Sequence, residues 1–269
     1  MRIEFDRIMV VLARNPRFCY TDPYSYLLIR LINDVNHYHQ ENMTDKSKHN
    51  KTESPETETD EKEEPSWLAE GITDSREVAD YYDRWATKYD EDLKEWDYRA
   101  PTYAAELLRQ YVSLSHAILD AGCGTGLTGK ALKRAGYDNI SGIDLSSTSL
   151  NIVEQLNIYN CLLVHDIQRP LPFPENNFDA LICIGVLTYI ENSRSLFKEF
   201  CRVVRPGGYI VFSQRTDLFD DRRFCDIIAS LEEERVWEKI NISEPQPYLP
   251  HNKDFADNVQ AIFCICKVF

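Results

Sequence analysis

The chain has 269 residues and a mass of 31.3 kDa, is 43% hydrophobic, and sets 44 acidic side chains against 30 basic ones for a formal charge of -14. That composition belongs to a globular protein with a substantial core. The charge is repelled by phosphate backbones and anionic lipid, which disfavours nucleic acid and membrane as partners.

No apolar run nears the roughly 20 residues that span a bilayer. The longest near the start is Ile8 to Ala13, too short for a secretory signal, and Glu4 and Asp6 argue against a mitochondrial presequence despite four nearby arginines. The eight cysteines include no CxxC pair and sit mostly in apolar runs, as in Leu181-Ile182-Cys183-Ile184. They read as small buried hydrophobes of a reduced, cytoplasmic or nuclear compartment, with no metal site. Cys264 and Cys266 alternate on a strand and so share a face.

Composition divides the chain into three zones. Residues 1–40 mix apolar, aromatic and basic residues without a period; they read either as a docking segment or as sequence upstream of a second start at Met43. Residues 41–66 hold nine acids, four lysines and no aromatic, Ile, Leu or Val, the composition of a disordered acidic linker. Residues 67–269 read as one folded domain.

That domain alternates strand and helix signals. Strands are expected at 117–120, 140–145, 161–164, 178–184 and 209–213, and helices at 127–135, 146–159, 193–204 and 220–235. Ser146 or Ser147 is a plausible N-cap, and Pro206-Gly207-Gly208 a helix stop. Two consecutive strands, 236–242 and 260–269, suggest an antiparallel addition at one sheet edge. The expected fold is α/β, a doubly wound, seven-stranded, mostly parallel sheet with its last strand antiparallel.

The chemistry lies in Ile118-Leu119-Asp120-Ala121-Gly122-Cys123-Gly124-Thr125-Gly126, which leaves a buried strand and opens a helix. Glycines there allow a tight turn and close approach of a ligand to backbone N–H groups at a positive helix end. Asp144, at the end of the next strand, stands where an acid accepts both hydroxyls of a ribose. A dinucleotide site would want Gly or Ala where Leu127 stands, and no GxxxxGK[ST] loop occurs. Asp120 suits a charged amine across the turn better than a pyrophosphate.

The segment resembles motif I of the class I S-adenosylmethionine-dependent methyltransferases, and the likeness runs from Tyr81 to the C-terminus. It implies S-adenosylmethionine as cofactor. It implies cofactor contacts from the loop residues Gly122, Cys123, Gly124 and Gly126, from Asp144-Leu145 at the ribose, and from Asp166-Ile167 at the adenine. It also implies contacts from Ile184-Gly185 past the strand Phe178–Cys183. Arg205-Pro206-Gly207-Gly208-Tyr209 is similar to the family's turn into its fifth strand. The pattern Tyr81-Tyr82-Asp83-Arg84-Trp85, then Tyr89-Asp90 and Tyr98-Arg99-Ala100-Pro101, resembles the methyltransferase-like family of the Williams-Beuren syndrome chromosomal region. In related enzymes such a helix covers the cofactor, which nominates Tyr82 and Tyr89; Trp85 reads equally as core. Arg99 is a candidate clamp for the cofactor carboxylate, with a surface ion pair as the alternative.

Methyl transfer from a sulfonium needs no metal, and needs a base only if the nucleophile holds its proton. Thr188, Tyr189, Tyr248 and His251 are expected near the methyl, with Tyr189 and His251 the candidates for a catalytic role. His116 and His165 read as structural. No Asn/Asp-Pro-Pro-aromatic motif follows the fourth strand, and only Glu191 lies where arginine methyltransferases carry two glutamates. A small-molecule acceptor is expected, ahead of a protein substrate. A non-catalytic cofactor-binding module acting through a protein partner is the alternative.

Overall fold

The computed structural model describes Leu68, Glu70 and residues 71–269 except 256 and 257. The segments 1–40 and 41–66 lie outside the described residues. Ile72–Phe269 fall within one compact unit.

The chain enters that unit through α1 (Ser75–Glu95), which Asp74 caps by accepting from the Arg76 and Glu77 backbone N–H groups at 2.9 and 3.2 Å. Its buried stripe is Val78, Tyr81, Trp85, Ala86 and Leu93, the helical spacing that turns one face inward. Proline at the first turn and a run of alanine and leucine then give α2 (Ala100–Arg109).

Strand and helix alternate through β1 (Ile118–Ala121), α3 (Leu127–Ala135), β2 (Ile140–Asp144), α4 (Ser147–Glu154), β3 (Cys161–Val164) and β4 (Phe178–Cys183). A 3₁₀ turn (Leu187–Tyr189) follows, then α5 (Ser193–Val203), β5 (Val204–Arg215), α6 (Thr216–Asp221) and α7 (Phe224–Glu233). The chain closes with β6 (Trp237–Ile242), a two-residue β7 (Gln246–Pro247) and β8 (Gln260–Val268).

The sheet order is β3-β2-β1-β4-β5-β8-β6, with β7 pairing on β8. Strands β1 to β5 pair in parallel, and β8 runs antiparallel to β5, β6 and β7. The order turns back between β1 and β4, which opens a crevice beyond the carboxyl ends of those strands. Two sequence expectations change here. The sheet has eight strands because Gln246–Pro247 adds a short rung. The antiparallel addition is β8 inserted between β5 and β6, so the edge strand β6 is antiparallel only to β8.

Alternation along β5 and β8 builds two cores. Val211, Phe263 and Ile265 face Ala104, Leu108, Leu132 and Tyr137. On the other face Phe212 stacks on Trp237, with ring centroids 6.0 Å apart, and both pack on Phe197. Cys264 and Cys266, fully buried, belong to the face opposite Phe263 and Ile265, as their spacing requires.

Boundaries differ from the expectations where backbone geometry intervenes. The fourth helix stops at Glu154, five residues short of Tyr159. Strand β5 begins at Val204, its Pro206-Gly207-Gly208 absorbed by a register shift against Phe178 and Ala180. The stretch 220–235 splits into two helices at Arg223, whose φ of 53° no continuous helix allows.

Candidate functional site

The glycine loop leaves β1 through three left-handed glycines, Gly122, Gly124 and Gly126, of which the first two have different duties. Gly122 has φ +81°, and a Cβ there would overlap the Val186 side chain, so the missing methyl lets the turn after β4 approach. Gly124 has φ +48°, and a Cβ there would meet nothing within 4 Å. Its missing side chain leaves room for a ligand against the backbone. The Gly122 and Cys123 N–H groups donate to the Ile143 carbonyl at 2.8 and 3.0 Å, pinning the loop to the end of β2.

Asp144, the last residue of β2, bridges two turns. Its Oδ2 accepts from the Gly124 N–H and its Oδ1 from the Ser146 N–H, each at 2.8 Å. Each oxygen retains a lone pair. Burial raises this carboxyl's pKa, while the two backbone bonds pull it back down.

Asp120 is fully buried beneath the loop. Its Oδ2 accepts from the Tyr159 hydroxyl at 2.6 Å and its Oδ1 has no partner among the described residues. Burial pushes its pKa up to about 7.

Around this scaffold lies an open cleft that encloses about 760 Å³, solvent space at its mouth included. Of the residues nominated from sequence, Tyr82, Tyr89, Gly122, Gly124, Asp144, Leu145, Asp166, Ile167, Ile184 and Tyr189 line it. Helix α1 forms one wall through Ser75, Val78, Ala79, Tyr82 and Tyr89. Two acids hold that helix down. Asp83 accepts from Ser146 Oγ at 2.5 Å and from the Thr148 N–H at 3.2 Å. Asp90 accepts from Thr125 Oγ1 and pairs with Lys130, each at 2.5 Å. The Tyr82 hydroxyl donates to that of Tyr189 at 3.0 Å, closing the wall onto the turn after β4. Trp85 is buried against Tyr89 and donates to Asp92 outside the cleft, as a core residue does.

Other nominated residues stand elsewhere. Cys123 is buried behind the loop, and Gly126 packs on Val153 and Tyr159. Arg99 does not line the cleft: its side chain is 78% exposed and pairs with Asp97 at 2.8 Å, the surface-ion-pair alternative. The cause is local, since the αR turn at Arg99 that starts α2 sets its guanidinium beside Asp97. His251 also lies outside; it is exposed, and its Nδ1 meets the Glu95 carbonyl at 3.2 Å. Thr188 is buried and donates to Gln214 at 3.2 Å.

The structure adds residues that sequence reasoning did not nominate. His165 lines the cleft and is not merely a strand flank. Its Nε2 lies 3.1 Å from the Pro170 carbonyl, and burial lowers its pKa, so near neutral pH it is an uncharged donor. Gln168 donates to the Thr73 carbonyl and Ser75 Oγ at 3.0 Å each, tying the Asp166 turn to the start of α1. Position beside the Asp166-Ile167 pair was the available signal for both. Val186, the partner of Gly122, carried none.

A profile of the methyltransferase domain family matches residues 119–212, the span from β1 through most of β5. The chain is 35% identical over 153 residues to human methyltransferase-like protein 27, covering 55% of this chain and 62% of that one. It thus spans less than two thirds of that relative's length. Residues 119–212 resemble a methyltransferase domain, the class whose motifs the glycine loop carries. A malonyl-[acyl-carrier protein] O-methyltransferase of Buchnera aphidicola is 25% identical over 200 residues, covering 73% of this chain and 78% of its own. Among solved structures the [4+2]-cyclase SpnF superposes with a TM-score of 0.59 at 15% identity, over 73% of this chain and 97% of that one. This last likeness concerns the fold alone.

S-adenosylmethionine is the cofactor of the class, and the described residues fit it. A ribose diol has Asp144 to meet, an adenine has Asp166 and Ile167, and a backbone-hugging chain has the open side of Gly124. No cluster of three or more His, Cys, Asp or Glu side chains able to hold a metal ion occurs among the described residues. No helix among them is long and apolar enough to cross a membrane.

Proposed function

We propose that this chain transfers a methyl group from S-adenosylmethionine to a small molecule. The observation that carries the reading is Asp144, held at both oxygens by the Gly124 and Ser146 N–H groups and facing the cleft. A carboxylate so fixed is pre-organised for two vicinal hydroxyls.

In this reading Asp144 takes the ribose and Leu145 lies beside it. Asp166 accepts from the adenine amino group, and Ile167 covers the adenine face. Beside Gly122, Gly124 leaves the β1 loop open to the methionyl chain, and Ile184 borders it just past β4. Tyr82 and Tyr89 exclude water from the α1 side. The cofactor supplies an activated methyl on a cationic sulfur; the protein contributes position and desolvation. The chain's acidity supports a small acceptor over nucleic acid, and the Buchnera relative's name describes transfer to oxygen.

The test is incubation of the full chain with methyl-tritiated S-adenosylmethionine and fractionated small-molecule extract. Label in an extractable product, lost in Asp144→Ala, supports the reading. Tight cofactor binding with no label in any fraction favours the binding module that acts through a partner.

A further inference from the structure

Beyond the nucleoside end, the cleft runs to the turn after β4, where Tyr89 and Tyr189 line it, and Tyr98 and Tyr248 stand directly behind the lining residue Gly185. Tyr89 comes from α1, Tyr98 from the turn before α2, Tyr189 from the 3₁₀ turn, and Tyr248 from the β7–β8 connection. Tyr98 and Tyr248 meet edge to face at 5.9 Å. Gly185, with φ +76°, lets the Tyr98 hydroxyl come within 2.7 Å of where a Cβ would stand. No hydrogen bond joins the Tyr89, Tyr98 or Tyr248 hydroxyl to another described residue, although the three rings are half-buried. They are donors waiting for an acceptor.

The charged surroundings are few. Asp144 lies toward Tyr89, Cys183 toward Tyr98, and Arg215 with Asp217 toward Tyr248. Asp217 is occupied, forked onto the buried Arg215 at 3.1 and 2.5 Å, and Arg215 stacks 4.9 Å over Phe255. Burial holds the tyrosines in their neutral form, so none serves as a ready base. The cleft's one imidazole among the described residues, His165, is bonded at the β3 end, and His251 is outside. An acceptor that must shed a proton therefore meets no base here. One that arrives as an anion needs none, and it meets hydroxyl donors.

We propose, resting on the methyltransferase reading above, that the methyl acceptor is an oxygen already ionised near neutral pH, a carboxylate or an acidic enol or phenol, received by the Tyr98 and Tyr248 hydroxyls. The acceptor oxygen forms the new O–C bond, the C–S bond breaks, and its electron pair stays on sulfur. Anion and sulfonium become neutral ether or ester and thioether, and no proton is released. Desolvating two opposite charges that disappear in the step favours reaction in a dry cleft.

The test uses full-length protein saturated with S-adenosylhomocysteine and titrated with benzoate, 4-nitrophenolate, benzamide and benzylammonium. The expected order places one or both anions at least tenfold tighter than benzamide and benzylammonium. Tyr98→Phe and Tyr248→Phe should each weaken the preferred anion about tenfold, the loss of one hydrogen bond to a charge. Binding of S-adenosylhomocysteine should stay unchanged in both variants, which also reports that they fold. Preference for benzoate identifies the carboxylate class, and preference for nitrophenolate the acidic enol or phenol class. Preference for benzylammonium, no selectivity, no probe binding, or insensitivity to both substitutions overturns the inference while leaving cofactor binding standing. Failure of S-adenosylhomocysteine itself to bind removes the parent reading, and this one with it.

Discussion

Replacing Asp144 by alanine removes the acceptor that joins the glycine loop to the start of α4. In the proposed complex the same carboxylate accepts two ribose hydroxyls. Hydrogen bonds to a charged acceptor are worth about 1.5–3 kcal/mol each, so the loss is about 3–6 kcal/mol. That raises Kd for the cofactor by between about a hundredfold and about ten-thousandfold. The fold should lose much less. The freed Gly124 and Ser146 N–H groups face an open cleft where water replaces the carboxylate, and a buried carboxyl whose pKa burial had raised is gone. A net cost near 1 kcal/mol lowers the Tm of a domain this size by about 2–4 °C. Asp144→Asn is the harsher change for the fold, because its amide nitrogen must face one of those two N–H groups. Calorimetric titration with S-adenosylhomocysteine beside a thermal melt reads both effects. A folded Asp144→Ala protein with wild-type affinity refutes the ribose assignment.

Other substitutions separate packing from binding. Arg99→Ala should change cofactor affinity less than threefold, because its exposed guanidinium pairs with Asp97 outside the cleft; a large loss by calorimetry would restore it as a clamp. Gly122→Ala should destabilise by about 2–4 kcal/mol, combining left-handed strain with overlap onto Val186; an unchanged melt contradicts that packing. Asp120 ionises near 3.8 when exposed and near 7 when folded. Between those values the folded chain holds a proton that the unfolded chain has released. Its stabilising contribution is therefore full below the lower value and is lost as pH rises through the upper one, on the order of 4 kcal/mol in all. Asp120→Asn should flatten the fall of Tm from about pH 5 to about pH 8; an equally steep fall assigns it to other groups.

Much of the fold was legible because the strands are short apolar runs between glycine turns and the helices carry amphipathic spacing. β1, β3 and α3 fall within a residue of their expected bounds. Backbone detail was not legible. Nothing in Phe219 to Phe224 announces a left-handed Arg223, and the bulge that takes Pro206 into β5 depends on a partner strand remote in sequence. Within the candidate site, motif residues were found because their spacing is local to one turn. His165 was misjudged because lining a cleft depends on what covers it, here an α1 wall fixed by Asp83 and Asp90. Of the two readings of Arg99, the surface pair is the one the structure forms, because a cation's partner is the nearest acid and Asp97 stands two residues away. The tyrosine end was only half visible, since its rings come from segments far apart in sequence that meet only in the folded chain.

We propose Asp144 and the glycine loop as a site for S-adenosylmethionine. The most direct test is calorimetric titration of the full-length protein with S-adenosylmethionine, S-adenosylhomocysteine and NAD in parallel. Micromolar binding of the first two and none of NAD is the predicted result. Binding of NAD, or no heat from either sulfur ligand with a folded protein, contradicts it.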